Sequence, residues 1–255
     1  FAFPVKYGYA SVGQVVAGEV LPQGQTVFCL HPHQTHYVVP ASAVHPVPEG
    51  VPARRAVLAA NLETALNAVW DAQVLPGDQV RVVGGGSIGL LTAWLAAQIP
   101  GCDVQLIDSN PHRAAVAAAL GVAFALPAEA RGGADAVLHA SGSEAGLQLC
   151  LALAGFEAVI TELSWYGDRM PALPLGGDFH SQRLALRASQ VGAVATVQRP
   201  RWDHTRRLRL ALGLLRDSRL DCLLDSSGRF DQLPQDMPRI AQPDSGVIMH
   251  CVTYD

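Results

Sequence analysis

A strand-like run that leads directly into Gly-x-Gly-x-x-Gly constrains the fold of this chain more than any other feature. Residues 79–83 read Gln-Val-Arg-Val-Val, and three spaced glycines and an apolar helical run follow them. The first glycine permits a tight turn, the second lets the backbone approach a pyrophosphate, and the third lets the helix pack close to the strand. Unpaired N–H groups at the start of that helix attract phosphate. The candidate cofactor-binding residues of this turn are Gly84, Gly86, Ser87, Ile88 and Gly89.

An acidic residue stands where a dinucleotide site needs one. A second apolar run, 104–107, ends in Asp108, 19 residues beyond Gly89, and that spacing is typical of the acid that binds the ribose hydroxyls. Because a carboxylate repels a 2′-phosphate, Asp108 favours NAD(H) over NADP(H). Ser109 and Arg113 are the other candidates on this side of the site. Arg113 counts against the preference for NAD(H), because an arginine there would attract a 2′-phosphate. The alternative is that Arg113 stacks on the adenine ring.

The composition is that of a globular chain and excludes several classes of partner. Of 255 residues, 49% are hydrophobic and 16% charged, which suits a large core rather than disorder. A net charge of −4 gives no field that would hold nucleic acid. No apolar run reaches the length of about 18 residues that a membrane span needs. Five cysteines without a Cys-x-x-Cys pair indicate reduced thiols and a cytoplasmic location.

The pattern of apolar residues divides the chain into three parts. Residues 1–60 are rich in short β-type runs broken by glycine and proline, which predicts a β-rich lobe. In 61–192 strands alternate with helices, which predicts an α/β Rossmann domain with a doubly wound parallel sheet. Residues 193–255 contain an arginine-rich amphipathic helix, a short helix and a last strand. We interpret them as a return to the first lobe.

The pattern of apolar residues also predicts the positions of the individual strands and helices. The β-type runs of the first part are 13–16, 25–30 and 36–39, and a helix follows through Glu63, Leu66 and Val69. The strands of the parallel sheet are predicted at 79–83, 104–107, 135–138, 157–163 and 184–189, and its helices at 88–98, 111–120 and 143–153. Gly121 is predicted as a helix C-cap. The last part is predicted to contain helices at about 202–216 and 231–240 and a strand at 246–254.

The order of these parts resembles the medium-chain dehydrogenase/reductase superfamily, whose zinc alcohol dehydrogenases are the best-known members. Residues 6–15, Lys-Tyr-Gly-Tyr-Ala-Ser-Val-Gly-Gln-Val, are similar to its Gly-His-Glu-x-x-Gly-x-Val element, and 163–168 and 175–180 resemble a bacterial subgroup. The resemblance implies a partial GroES-like catalytic lobe and a further part of that lobe before Phe1. It also implies a homodimer and hydride transfer between NAD(H) and a small-molecule alcohol, aldehyde or ketone.

The chain departs from the resemblance at the zinc centre. Tyr9 and Ala10 stand where the superfamily has the metal-ligating histidine and the glutamate after it. A phenol is a rare zinc ligand, so we expect the usual catalytic zinc site to be lost and assign no metal ligands. Cys29 is the only cysteine before Cys102, so the four-cysteine structural zinc lobe of many relatives is also missing.

Without zinc, another group must stabilise the developing alkoxide. The segment 31–36 (His-Pro-His-Gln-Thr-His) directly follows a predicted strand and aligns with the part of the family that lines the substrate pocket. An imidazole of His31 or His33 there would protonate the substrate oxygen. The alternative is a histidine-bearing surface loop. A metal site rebuilt from these two histidines is a further alternative, since alternate residues of an extended strand share a face, but Pro32 and the lack of a nearby carboxylate count against it.

Two more residues are candidates for the catalytic site. Glu63 aligns within a few residues of the family's third zinc ligand or water-binding glutamate, where it would orient a water or a histidine. Its alternative is a carboxylate at a helix N-terminus, favoured by the helix dipole. Tyr9 is either a proton donor or an aromatic ring that fills the space left by the metal.

Residues after two later strands complete the expected cofactor site. Ser141, Gly142, Leu163 and Ser164 match the positions at which relatives hold the nicotinamide side of the cofactor, and ligands gather at such strand ends in open parallel sheets. The leading hypothesis is therefore an NAD(H)-dependent oxidoreductase. The alternatives are a catalytically inactive nucleotide-binding or sensing protein and a methyltransferase. Gly89 and the β-rich flanks favour the dehydrogenase over the methyltransferase.

Overall fold

The computed structural model describes residues 4–242 and 245–254, and its backbone contacts divide the chain into two units. One unit combines Phe1–Ala60 with Thr205–Asp255, and the other is Asn61–His204. Both boundaries between the units fall within helices, one near the start of the helix that contains Ala60 and the other at the start of the helix that contains His204.

The first unit contains a three-stranded antiparallel sheet. Its strands are β1 (Ser11–Gln14), β2 (Thr26–Cys29) and β3 (Val44–Pro46), with β2 in the middle. Phe28 at the centre of β2 is fully buried, which anchors the sheet. The predicted strand at 36–39 is wrong. Val38 in that run is fully exposed, so its alternating pattern has no apolar face to bury, and β3 supplies the pairing instead.

The remaining elements of this unit come from both parts of the chain. The short helix α1 (Ala53–Ala56) belongs to its first part. Its C-terminal part contributes helices α7 (His204–Leu214) and α8 (Leu233–Ile240) and the parallel strand pair β10 (Ser226–Arg229) and β11 (His250–Thr253). The last strand is shorter than the predicted run of 246–254, because Ile248 and Met249 donate their N–H groups to the Asp225 carboxylate before the pairing begins.

The second unit is built on a six-stranded parallel sheet with the order β6-β5-β4-β7-β8-β9. The chain runs outwards from β4 through β5 to β6, then returns to β7 and continues in the other direction, which is the doubly wound arrangement. The strands are β4 (Gln79–Val83), β5 (Asp103–Ile107), β6 (Ala123–Ala125), β7 (Ala134–His139), β8 (Ala154–Glu162) and β9 (Ala185–Ala188). The helices are α2 (Ala59–Ala72), α3 (Ser87–Ala96), α4 (Arg113–Ala119), α5 (Glu144–Leu153) and α6 (Asp178–Ser181).

The core of the second unit lies on the inner strands. Val82, Leu106 and Leu138, on three neighbouring strands, have no exposed surface. Parallel strands covered on both faces need such continuous apolar runs, which explains why these strands were readable from the sequence. The prediction of a doubly wound α/β sheet with a β-rich lobe is confirmed. The sequence reading missed β6, because three residues are too few to show a period.

Several predicted element positions are confirmed closely. The strand at 79–83 has the predicted bounds, and the predicted helices at 111–120 and 143–153 differ by two residues or fewer at each end. Gly121 follows the end of α4 with a φ of +75°, the left-handed conformation that glycine adopts at helix C-termini. Across the described residues, no helix is both long and apolar enough to cross a membrane.

A buried arginine ties the two chain segments of the first unit together. The Arg55 guanidinium donates to both carboxylate oxygens of Asp221, at 2.7 and 2.6 Å, and to the carbonyl of Leu215 at 3.1 Å. Its side chain is 6% exposed. The hydrogen bonds from Arg55 lower the pKa of Asp221 against the opposing effect of burial. This bidentate pair joins α1 to the segment that follows α7.

We predict that Arg55→Met lowers the free energy of unfolding by roughly 1.5–3 kcal/mol, because hydrogen bonds to charged groups are lost while carbonyl oxygens stay buried. Urea titration measures the change. The matched control is Arg219→Met, since Arg219 pairs with Asp217 while 46% exposed and exposed pairs contribute less than about 1 kcal/mol. Equal losses in the two variants would contradict the prediction. Since the pKa of Asp221 is lowered, its stabilising contribution is present at neutral pH and disappears in acid.

Candidate nucleotide-binding site

The glycine turn lies at the point where the parallel sheet changes direction. Gly84 follows β4 with a φ of +112°, a conformation that glycine adopts readily. A Cβ on Gly84 would lie 2.5 Å from the backbone nitrogen of Ser141, in the turn that follows β7. Both the dihedral angle and the neighbouring backbone therefore require glycine at this position.

Gly89 provides the close approach between helix and strand. A Cβ on this residue would overlap the carbonyl oxygen of Gly84. Helix α3 consequently packs against the end of β4 with no side chain between them. This contact directs the N-terminus of α3 at the carboxyl edge of the sheet, as the third glycine of the motif requires.

Gly86 faces open space instead. It is the N-cap of α3, and, its two chain neighbours aside, no atom in the described part of the chain lies within 4 Å of the position of its missing Cβ. No side chain caps the helix, and its first turn contains no acidic residue. The N–H groups of the residues after Gly86 thus begin a helix beside an open space, which fits the phosphates of a dinucleotide.

Asp108 is held beside the turn by backbone N–H groups. It accepts a hydrogen bond from Gly85 at 2.5 Å through one carboxylate oxygen and from Asn110 at 2.7 Å through the other. The side chain of Arg113 lies close by, since a Cβ on Gly85 would be 3.0 Å from its Cγ and 3.1 Å from Asp108 Oδ2. Ser109, next to this carboxylate, is exposed. The structure thus brings the predicted acid and arginine to one side of the turn.

The other side of the turn carries a buried histidine–carboxylate pair that the sequence reading missed. His139 ends β7 and Glu162 ends β8, and Nδ1 of the histidine lies 2.7 Å from Oε2 of the glutamate. The histidine side chain has no exposed surface, and the glutamate side chain is 13% exposed. The sequence feature that could have revealed this pair is a titratable residue at the end of each of two apolar strands, which become neighbours in the sheet.

Hydroxyl groups surround this pair. Ser141 Oγ lies 2.5 Å from Nε2 of His139 and 2.9 Å from Ser143 Oγ. The Ser164 N–H donates to Glu162 Oε1 at 2.7 Å, and its hydroxyl accepts the N–H of Gly142 at 3.0 Å. Leu163 donates its N–H to the carbonyl of His139 at 2.9 Å. The four residues predicted for the nicotinamide side therefore lie in one network, at the carboxyl ends of β7 and β8.

The electrostatics of this network favour an ionised glutamate. Burial alone would raise the pKa of Glu162, but the hydrogen bond and charge of His139, together with the bonds from Ser164, lower it. Burial raises the pKa of Tyr166, whose hydroxyl donates to Glu162 at 3.2 Å, and the glutamate charge raises it further. A carboxylate with three donors is the stable charged group of the network.

The candidate proton donor His31 lies in the first unit. Its Nδ1 donates to the carbonyl of Pro32 at 2.8 Å, and its ring stacks on Tyr37 with centroids 3.7 Å apart. With hydrogen on Nδ1, Nε2 is the ring nitrogen that is left as an acceptor. The segment follows β2 directly, as predicted, but it is an irregular loop rather than a strand.

His33 and Tyr9 have other surroundings in the same unit. Nδ1 of His33 lies 2.8 Å from the hydroxyl of Tyr254, and burial and the charge of His250 lower the histidine's pKa. Tyr9 is 59% exposed, which argues against its ring as the filler of a buried space. His31 and His33 thus have different partners, which argues against a metal site shared between them.

Glu63 lies in the second unit, at the fifth position of α2, and is 6% exposed. The alternative that it is an N-terminal helix carboxylate is wrong, because the first turn of α2 contains no acidic residue. A carboxylate buried to this degree needs polar partners.

The described residues do not form a zinc-ligand set. Within 4–242 and 245–254 there is no group of three or more histidine, cysteine, aspartate or glutamate side chains able to hold a metal ion. The expectation that the usual zinc site is lost stays a prediction, and no chemistry below is assigned to a metal.

Comparison with known proteins gives relatives that are similar over most of the chain. A D-guloside 3-dehydrogenase from Escherichia coli K12 is 24% identical over 258 residues, covering 91% of this chain and 73% of the relative. An L-threonine 3-dehydrogenase from Rhizobium rhizogenes is 30% identical over 131 residues, covering 49% of this chain and 37% of the relative. No family model matches the chain.

Solved structures share the fold of this protein over nearly the whole chain. L-idonate 5-dehydrogenase from Escherichia coli K-12 superposes with a TM-score of 0.79 at 18% identity, covering 97% of this chain and 81% of the neighbour. A structure from Sinorhizobium meliloti described as a zinc-binding dehydrogenase bound to NADP has a TM-score of 0.78, 19% identity and coverage of 98% and 84%.

The fold defines the class: a doubly wound parallel sheet and a β-rich unit, the architecture of these dehydrogenases. More particularly, its homologues and structural neighbours are dehydrogenases of the medium-chain, zinc-type alcohol dehydrogenase-like kind.

We predict that alanine substitution at two glycines of the turn changes the free energy of unfolding to very different extents. Gly89→Ala should lower the free energy of unfolding by several kcal/mol or prevent folding, because its Cβ overlaps the backbone of β4. Gly86→Ala should change that free energy by less than about 1 kcal/mol, since its Cβ meets open space and its φ of −77° is ordinary. Thermal and urea unfolding of both variants test this. A Gly89→Ala protein as stable as wild type would refute the close packing.

Proposed function

We propose that the chain is an NAD(H)-dependent oxidoreductase that transfers a hydride between nicotinamide and an alcohol, aldehyde or ketone. The observation that carries this proposal is the junction of β4, α3 and Asp108. It presents an open space at a helix N-terminus, with a carboxylate beside it. The names of the relatives, 3- and 5-dehydrogenases of guloside, threonine and idonate, support a secondary alcohol as the substrate.

We infer that NAD(H) is preferred over NADP(H). Asp108 lies beside Gly85, where its carboxylate would accept the ribose hydroxyls and repel a 2′-phosphate. Arg113 lies next to it and would otherwise attract that phosphate, but the carboxylate is fixed by two backbone hydrogen bonds. The solved neighbours include structures with NADP and with NADH bound, so the choice depends on the residues of this chain.

We assign the remaining roles to the residues predicted above. Gly84, Gly86, Ser87, Ile88 and Gly89 would bind the pyrophosphate, and Ser141, Gly142, Leu163 and Ser164 the nicotinamide half. The bound nicotinamide supplies or accepts the hydride. His31 would exchange the proton of the substrate oxygen through Nε2, with His33, Glu63 and Tyr9 as further candidates. The small-molecule substrate, the cytoplasmic location and the homodimer belong to the same proposal.

The proposed function is tested by binding first and turnover second. NADH binding is measured by nucleotide fluorescence, with Gly86→Val as the control, because its branched side chain would occupy the open space at the phosphate position. Oxidation of a panel of secondary alcohols and polyols with NAD⁺ is then followed at the NADH absorbance. Binding without turnover would favour the catalytically inactive alternative. S-adenosylmethionine bound in preference to NAD⁺ would favour the methyltransferase.

Asp108→Gly should weaken NADH binding and relax discrimination against NADPH, since the ribose loses its acceptor and the phosphate loses its repulsion. Titration of both cofactors against the variant measures the ratio of their dissociation constants. The matched control is Asp103→Asn, at the opposite end of β5, which should leave this ratio as in wild type. An unchanged ratio in Asp108→Gly would remove Asp108 from the cofactor site.

His31→Ala should lower turnover by roughly 10²–10⁴ while the dissociation constant of NADH stays within a few-fold of wild type, because the imidazole is assigned to the substrate oxygen. Steady-state kinetics and NADH titration separate the two effects. His33→Ala is the comparison. A large loss in that variant alone would move the role to His33, and turnover within a few-fold of wild type in His31→Ala would exclude His31 as the donor.

A further inference from the structure

The buried pair at the ends of β7 and β8 has a defined direction of hydrogen bonding. Glu162 accepts from the ring Nδ1 of His139, from the hydroxyl of Tyr166 and from the backbone of Ser164. Because the carboxylate is surrounded by donors, Nδ1 of the histidine carries a hydrogen in both protonation states. The second nitrogen, Nε2, is therefore the atom that gains or loses a proton.

The protonation of Nε2 decides the role of the neighbouring hydroxyl. Ser141 Oγ lies 2.5 Å from Nε2 and also accepts the N–H of Ser143 at 3.2 Å. When the imidazole is neutral, the Ser141 hydroxyl donates to Nε2. When the imidazole is charged, Nε2–H donates to Ser141 Oγ, and the hydroxyl hydrogen becomes available to Ser143 Oγ or to a ligand.

Other titratable groups around His139 do not change charge near neutral pH. On α5, burial raises the pKa of Cys150, and the charge of Glu162 raises it further. In the segment after β8, burial and the same carboxylate raise the pKa of Tyr166, while the permanently charged Arg169 lies over the Tyr166 ring at 5.5 Å. An imidazole is the group whose ordinary titration range lies between pH 5 and 8. The Nε2 atom of His139, which faces a hydroxyl rather than the carboxylate, is therefore the position in this network that is open to proton exchange.

This network lies opposite Asp108 across the turning point of the sheet. Dinucleotides bind doubly wound sheets across that crevice, with one nucleoside on each side of the phosphate-binding turn. Asp108, at the end of β5, marks the adenosine side. The other nucleoside would then lie over the ends of β7 and β8, where Ser141 abuts Gly84 and the pKa of the buried Glu162 is lowered.

We propose that His139 is a positioning residue that couples one proton to the redox state of the bound cofactor: neutral imidazole with NAD⁺ and imidazolium with NADH. The inference rests on the proposed function. The positive nicotinamide ring of NAD⁺ is stabilised by the Glu162 carboxylate when His139 is neutral, and is opposed by the imidazolium. The uncharged ring of NADH has no such preference, so the imidazolium–carboxylate pair persists beneath it.

The expected observation is a pH dependence of cofactor preference. The ratio of the dissociation constants, Kd of NAD⁺ over Kd of NADH, should fall about tenfold between pH 6 and pH 8, the change that corresponds to one pKa unit of coupling. Both constants are measured by titration of the wild-type protein without substrate. In His139→Gln the ratio should be flat over this range, because the amide keeps hydrogen bonds but does not titrate.

The matched control is His180→Gln, since His180 is an exposed histidine of α6 in the same unit, and its pH dependence should equal that of wild type. A flat ratio in wild type, or an unchanged slope in a folded His139→Gln protein, would overturn the inference.

A second measurement tests the proton coupling on the wild-type protein alone. Calorimetric titration at pH 7 in two buffers of different ionisation enthalpy counts the protons exchanged on binding. NAD⁺ binding should release more protons than NADH binding, and equal counts would overturn the inference even if His139→Gln does not fold. Failure of wild type to bind either cofactor would instead refute the proposed function, and the inference would fall with it.

Discussion

The second unit depends on a contact between backbones from which side chains are excluded. Gly84 touches the turn after β7, and Gly89 brings α3 against Gly84, so a strand, a helix and a neighbouring loop meet within van der Waals distance. Any Cβ at either glycine would separate them. Because of this contact the helix N-terminus opens at the carboxyl edge of the sheet, and Gly86 is left facing open space.

The two sides of the turn differ in how they hold charge. Asp108 is partly exposed and held by backbone N–H groups, which suits recognition of ribose hydroxyls. His139 and Glu162 are buried, and there a charge interacts strongly with whatever lies above it because water does not screen it. In the proposed function, the first side would determine which nucleotide fits, and the second would respond to the charge of the nucleotide.

The first unit poses a different chemical problem. Tyr9 and Ala10 stand where the resemblance expects a metal ligand and its neighbour, and the proposed function therefore assigns the alkoxide to another partner. His31 is oriented by Pro32 and stacked on Tyr37, which leaves Nε2 as the reactive nitrogen. An imidazole fixed in this way is a suitable proton donor, and the His31→Ala and His33→Ala comparison measures its contribution.

The sequence by itself determined the features that depend on neighbours along the chain. The strand at 79–83, the glycine spacing, the following helix and Asp108 were all predicted, because a strand–turn–helix is encoded locally and the acid follows at a fixed distance. The helix α2 and the C-cap Gly121 were predicted for the same reason. The prediction of a strand at 36–39 was wrong, because the strand propensity of a segment does not decide whether it finds a partner strand or an apolar face to bury.

Only the tertiary structure decided the contacts that depend on the order of the strands. Glu162 is 23 residues from His139 in the chain, yet the two are hydrogen-bonded because β7 and β8 are neighbours in the sheet. Ser141 abuts Gly84 because β4 and β7, which are not consecutive strands, pair where the sheet reverses. The physical reason is that hydrogen bonding between strands sets these distances, and no local pattern in the sequence records which strands will pair.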